Sequence, residues 1–275
     1  MPLRKKPFDP SGFVVKLTLL IVAVLTGYTL WTMDTKDASF LEGVRHTLSN
    51  FGSMFGEAHF KHFTFRDAVM SVLITIGLAV VTTLLGAIIA LGTGLLAARN
   101  ISGNAVSQFV KAVMAVIRAV PTILWVLIFA VSSGLGSVAA VLGMTFHTVS
   151  YLTKAYSESF EELNPGVLEA LQGSGAGKLH IVFQAVLPSS MTYLLSWTFL
   201  RLEINFSNAL AMGAAAGAGG IGYDMFMASS LYFDIREMGT LTYFILFFAV
   251  LLELFSTQLK KRLKSGGMQM NLTGK

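Results

Sequence analysis

The 275-residue chain is 54% hydrophobic and only 13% charged, against about a quarter charged in a soluble domain. Its mean hydropathy is +0.67, and apolar runs repeatedly reach the roughly 20 residues that a spanning helix needs. The absence of cysteine excludes disulfides and thiolate chemistry, and the net charge of +5 sits at the ends of apolar runs, which argues membrane orientation and against nucleic-acid binding.

The runs are solidly apolar, whereas barrel strands would alternate, so the expected class is an all-α, multi-pass membrane protein. Arg4, Lys5 and Lys6 precede a first span at about Phe13–Met33. That run ends in Leu30-Trp31-Thr32-Met33, without a small-residue cleavage site, and is read as a retained span. Residues 34–67 are mixed and charged, with Phe51, Phe55, Phe60, Phe63 and Phe65 interleaved, as in an interfacial amphipathic helix. His59 and His62 alone make a poor metal site and read as solvated side chains, so no metal ligand is assigned.

A second span lies within the 31 uncharged residues Ala68–Ala98, too long to cross a core of about 30 Å without tilt. Residues 99–112 form a short connection. A third span is expected over Val113–Val131, containing Arg118 and Pro121, and a fourth over Leu135–Leu152, parted by the Ser/Gly turn 132–136. Residues 154–186 are polar. The fifth span is Leu187–Met212, a Gly/Ala-rich stretch covers Gly213–Gly222, and the sixth span is Met238–Leu259. Three regions follow: 1–66 with the first span and amphipathic segment, a core of 67–264, and a tail of 265–275.

With six spans, Arg4 to Lys6, Arg99, Lys111, Lys154, Lys178 and the cluster Lys260, Lys261, Arg262 and Lys264 all share one side. Positive residues mark the cytoplasm. Both termini and the 154–186 loop are then cytoplasmic, and segment 34–67 is extracytoplasmic.

Within that loop, Asn164-Pro165 is a good helix start. Val167, Leu168, Leu171, Leu179, Ile181 and Val182 supply an apolar face, and Gly173, Gly175 and Gly177 allow a turn between two short helices. An exposed apolar patch off the membrane marks a partner surface. The register Glu169-Ala170-Leu171, Gly175, Ala185, Leu187-Pro188 resembles the "EAA" loop of ATP-binding-cassette importer permeases. The family pattern is Glu-Ala-Ala, three residues, Gly, nine residues, Ile, one residue, Leu-Pro. Leu171 and Ala185 depart from it.

A second stretch narrows the resemblance. Arg201-Leu202-Glu203-Ile204-Asn205, then Gly217-Ala218-Gly219-Gly220-Ile221-Gly222, is similar to phosphonate-type importer permeases, with Leu202 where the family usually has Trp. Arg118-x-x-Pro121 fits the same family, and the likeness runs from about Met70 to Lys264.

The resemblance implies a type I importer permease fold in a bacterial inner membrane. It implies two permease copies, a dimer of separate ATPase subunits docked on Glu169, Ala170, Leu171, Gly175, Leu187 and Pro188, and an extracytoplasmic substrate-binding protein. ATP and magnesium would sit on the ATPase. This chain has no Gly-x4-Gly-Lys-Ser/Thr motif, carries no cofactor and makes no bonds. The cargo would be phosphonate, phosphate or phosphite, with methionine or another small solute the competing cargo. Gly217-x-Gly219-x-x-Gly222 matches a dinucleotide fingerprint only literally, since it follows a span and not a strand.

Arg201 and Glu203 are expected within the fifth span, where ions are expensive and suggest function. Arg201 and Asn205 share a face, and Glu203 points elsewhere. Arg201 either meets an anionic cargo or packs. Glu203 is better read as structural, paired with Arg118 or with a neighbouring helix. Gly217, Gly219, Gly220 and Gly222 form a gate or a tight turn. An ion-coupled carrier would need more acidic sites near the midplane than Glu203, and a membrane enzyme would need a catalytic cluster where the spans carry only a lone His147.

Overall fold

A computed structural model describes the backbone of residues 10–33 and 39–273, with side chains through residue 262. Arg4, Lys5, Lys6 and the side chains of Lys264 and the tail lie outside the described residues. No strand occurs among the described residues. The chain divides into two units, Met1–Phe51 and Gly52–Lys275.

The first unit holds α1 (Pro10–Thr32), which buries no residue within the protein. Its threonines turn inward on their own helix: Thr18, Thr26 and Thr29 hydroxyls donate to the carbonyls of Val14, Val22 and Leu25 at 2.8–2.9 Å. That satisfies polar groups which lipid cannot. Helix α2 (Phe40–Gly56) matches the expected amphipathic segment and continues into the second unit.

The second unit is built on α3 (Phe65–Ala97) and α7 (Ser137–Glu161). Thr64 caps α3 in a reciprocal box with Asp67. The buried stripe of α3 is Ala68, Val72, Thr75, Ala79, Thr82, Gly86, Ala90, Gly94 and Ala97, steps of three and four that hold one face toward a partner. Small side chains there let the backbones close in. A Cβ on Gly86 would strike Thr148, and one on Gly94 would press Tyr156. Thr93 and Thr153 hydroxyls meet across the seam at 2.6 Å.

Between these helices lie α4 (Arg99–Ser102), α5 (Asn104–Ala119) and α6 (Thr122–Ser133). The expected third span Val113–Val131 is bent: α5 and α6 meet at 89° about Val120-Pro121. Pro121 lacks the amide that would continue the ladder and forces Val120 into an extended conformation. The carbonyl it orphans, that of Ile117, accepts the Trp125 indole N–H at 3.0 Å. The turn at 132–136 is where expected, with Gly134 and Gly136 at φ +78° and +135°.

Then come α8 (Pro165–Gly173), α9 (Lys178–Ile181), a π-helical turn at Val182–Val186, α10 (Leu187–Ala216), α11 (Ile221–Ser230) and α12 (Ile235–Thr273). The fifth span does not start afresh at Leu187, since the helical path is continuous from Lys178 to Ala216. The wide turn ends one residue before Leu187-Pro188, so it loosens the backbone where the proline ring would otherwise meet the carbonyl one turn back. Among the described residues, four helices are long and apolar enough to cross a membrane, five if the bent α5–α6 pair is one span. The expected fourth span, Leu135–Leu152, falls on α7, which is not one of these helices. Helix α7 extends nine residues past the expected Leu152, to Glu161, and its polar Thr148, Ser150, Thr153 and Ser157 are buried against protein.

Candidate functional site

Helix α8 begins where the sequence expects: the Asn164 side chain accepts the Gly166 amide at 2.9 Å, with Pro165 in the first turn. It ends at Gly173, and Gly175, at φ +83°, makes the turn into α9. A non-glycine residue would be strained there. Leu168, Ile181 and Val186 are buried in one cluster with Leu152, Tyr156 and Phe160 of α7, which fastens the pair, and Val182 is buried as well. Leu171 and Leu187 pack partly against the same cluster, whereas Glu169, Ala170, Gly175 and Pro188 are exposed. Val167 at 51%, Leu179 at 71% and Phe183 at 66% exposure remain uncovered. The apolar face is thus divided: one part anchors, the other is presented.

Glu169 and Gln172 border a cavity of about 220 Å³ with Asn100, Glu161, Pro165 and Leu168. Glu161 stiffens its floor, accepting from Lys111 Nζ at 2.7 Å and from the Arg99 amide at 2.8 Å. Burial of Glu161 opposes its ionisation, but the Lys111 ammonium and Arg99 more than offset this and hold its carboxyl below the ordinary 4.5. The Asn100 amide donates to the Phe160 carbonyl at 2.8 Å, closing the end of α7.

Deeper in the unit, Arg201 is 2% exposed. Its Nε donates to Thr148 Oγ1 at 3.2 Å, Nη2 lies 3.1 Å from His147 Nδ1, and the guanidinium stands 5.1 Å from the centre of the Tyr151 ring. A guanidinium only donates, so Nδ1 of His147 accepts and its proton sits on Nε2. Asn205 shares that face, as its spacing requires, and donates to Thr83 Oγ1 at 2.9 Å and Thr148 Oγ1 at 3.0 Å. No carboxylate pairs with Arg201 among the described residues. Glu203 points to another face and pairs with Lys260 of α12 at 2.9 Å. The neighbouring-helix reading of Glu203 is therefore the right one, because Arg118 is engaged elsewhere, donating to the Ser150 carbonyl at 2.8 Å. Pro121 sets the bend just beyond it.

Gly217, Gly219 and Gly220 all have positive φ, between +62° and +81°. The turn folds α11 back on α10 so closely that a Cβ on Gly222 would strike the Leu210 backbone. Thr75 of α3 receives the Ile221 amide at 3.1 Å. Sequence reasoning did not find Thr83, Thr148, Tyr151 or Glu161. Each is tens of residues from its partner, and hydroxyls on helices carry no spacing signal.

Residues 90–265 match the family described as the binding-protein-dependent transport system inner membrane component. The chain belongs to this family. A phosphite transport system permease protein, PtxC of Stutzerimonas stutzeri, is 27% identical over 248 residues, 88% of each chain. The phosphate-import permease protein PhnE of Mycolicibacterium smegmatis is 31% identical over 178 residues. That match takes in 64% of this chain but only 33% of the relative's length. Among solved structures, the inward-facing MetNI methionine transporter aligns with a TM-score of 0.66 at 20% identity, covering 74% of this chain and 99% of that one. At that identity the likeness is one of fold: the type I importer permease architecture. As a member of a transport family of inner-membrane components, the chain is a multi-pass permease.

Proposed function

We propose that this permease is the membrane half of an ATP-driven importer whose energy enters through α8 and α9. The observation that carries the reading is the division of that segment, with Leu168, Ile181 and Val182 rooted in the core while Glu169, Ala170, Val167 and Leu179 stand exposed. A lever must be rigid at its root and sticky at its tip. The basic residues Arg99, Lys111, Lys154 and Lys178 support a cytoplasmic position for this end, and with it cytoplasmic termini.

Two copies of the chain would form the pathway. Two ATPase subunits, holding ATP and magnesium, would grip the two tips, and a binding protein would deliver cargo on the opposite side. Glu169 would supply the polar anchor, Ala170 close approach and Gly175 the turn. Leu187 and Pro188, behind the wide turn, would be the hinge to α10.

The cargo is a phosphorus oxyanion. The names of the relatives support this, and so does Arg201, a buried guanidinium without a carboxylate partner among the described residues, of the charge and fork geometry that such an anion needs. Arg118, Pro121, Asn205 and the glycines 217 to 222 would shape the pathway and its gate, with Glu203 held aside by Lys260.

The test is reconstitution in proteoliposomes with the ATPase and the binding protein. ATP hydrolysis should rise with phosphate, phosphite or phosphonate and stay basal with methionine. Stimulation by methionine alone would remove the cargo assignment, and uptake without any ATPase would remove the whole reading.

A further inference from the structure

The loop before α3 meets the first turn of α12 in a cluster that the expectation of solvated histidines did not foresee, and the cluster stands apart from the transport reading above. Glu237 is fully buried. Its Oε1 accepts three backbone amides, those of Lys61, His62 and Phe63, at 2.8, 2.7 and 3.0 Å. The other oxygen, Oε2, lies 2.8 Å from His62 Nδ1. Asp234 repeats the pattern. Its Oδ1 accepts the amides of Arg236 and Glu237 at 3.1 Å, and Oδ2 lies 3.5 Å from His59 Nε2 and 3.7 Å from Lys61 Nζ. The His62 ring is stacked on Tyr232, 3.9 Å between centres and 8° from parallel. One ligating atom from each of His62, Asp234 and Glu237 falls within 4.8 Å of the other two.

We propose that His62, Asp234 and Glu237 bind a divalent transition-metal cation, with zinc as the probe. Bonds of about 2.0–2.2 Å to a tetrahedral zinc leave ligand atoms roughly 3.3 Å apart, a separation bracketed by the 2.8 Å pair and the 4.8 Å limit here. Imidazole with carboxylate suits zinc better than the all-oxygen cations. Backbone amides already hold the far oxygen of each carboxylate, and Tyr232 holds the ring, so outer contacts orient the ligands before any metal arrives. The Lys61 side chain is 60% exposed and free to swing into water as the cation displaces it. A bound cation would tie the 57–64 loop to the start of α12.

The experiment uses the full, untagged chain in detergent, stripped with chelator and dialysed against micromolar zinc. Elemental analysis should find about one zinc per chain, with a zinc-dependent rise in melting temperature. Glu237→Gln would put a neutral amide in place of the carboxylate buried beneath three backbone amides, which disturbs the loop itself and is unsuited to the test. His62→Ala and Asp234→Asn should each lower zinc affinity at least ~10-fold and abolish the thermal shift, whereas His180→Ala should change neither. No zinc on the wild type, or zinc retained undiminished by both variants, would overturn the site and leave these contacts as ion pairs alone.

Discussion

The α3–α7 seam and the α8–α9 tip use similar residue types to opposite ends. In the seam, Gly86 and Gly94 are places where a Cβ would meet Thr148 or Tyr156, and on the other side of α7 one on Gly143 would meet the Val126 backbone of α6, so small size makes close approach. At the tip, Gly173 and Gly175 have nothing within reach, and Gly175 serves its positive φ alone. Apolar residues divide likewise. Leu152, Tyr156 and Phe160 are covered, whereas Val167 and Leu179 are not. The seam is built for rigidity within the chain, and the tip leaves apolar surface uncovered.

The sharpest way to break this contrast is a large side chain on the packed surface of α7, where it faces α6. Gly143→Leu would drive into Val126 of α6. Overpacking costs about 1–3 kcal/mol or more, and a backbone neighbour cannot yield, so we expect the folded monodisperse fraction on size exclusion to collapse.

Arg201→Leu comes next, and it tests the polar interior of the seam. It should leave assembly and basal ATPase intact and cut uptake more than about tenfold, or ~1.4 kcal/mol. Uptake equal to wild type would assign Arg201 to packing with Tyr151 and Thr148.

At the tip, Glu169→Lys or Gly175→Asp should leave the melting temperature near wild type and weaken co-purification with the ATPase. Undiminished co-purification of both would end the docking assignment.

The smallest effect concerns the Glu161 brace between the two regions. Its carboxyl titrates below the ordinary 4.5 in the folded chain, so its stabilisation is fully present above that value and is lost as pH falls through the lowered one. Lys111→Met should shrink that acid-limb loss, as read by melting temperature between about pH 5 and 3, with the Arg99 contacts left in place.

Much of the tip was legible because its signals are local. Asn164-Pro165 and Gly175 act within a turn of where they stand. The amphipathic α2 and the 132–136 turn were legible for the same reason. The 89° bend in the expected third span was not read from the sequence although Pro121 was in view, because apolar length was weighed above the missing amide. The continuous helix through Leu187-Pro188 failed for the converse reason: a proline reads as a boundary unless a widened turn precedes it.

By itself the sequence determined the all-helical membrane class, the lack of thiol chemistry and the helix–turn–helix of the 164–181 segment, because composition and short-range caps do not depend on what packs against them. Only the tertiary structure decided that Glu203 belongs to Lys260, that Arg201 stands among His147, Thr148 and Tyr151, and that His62 meets Glu237. Those partners lie between 50 and 175 residues apart in the chain. The exposure and charge of such groups are set by helices that meet only after packing, and no periodicity within one helix encodes the neighbour it will find.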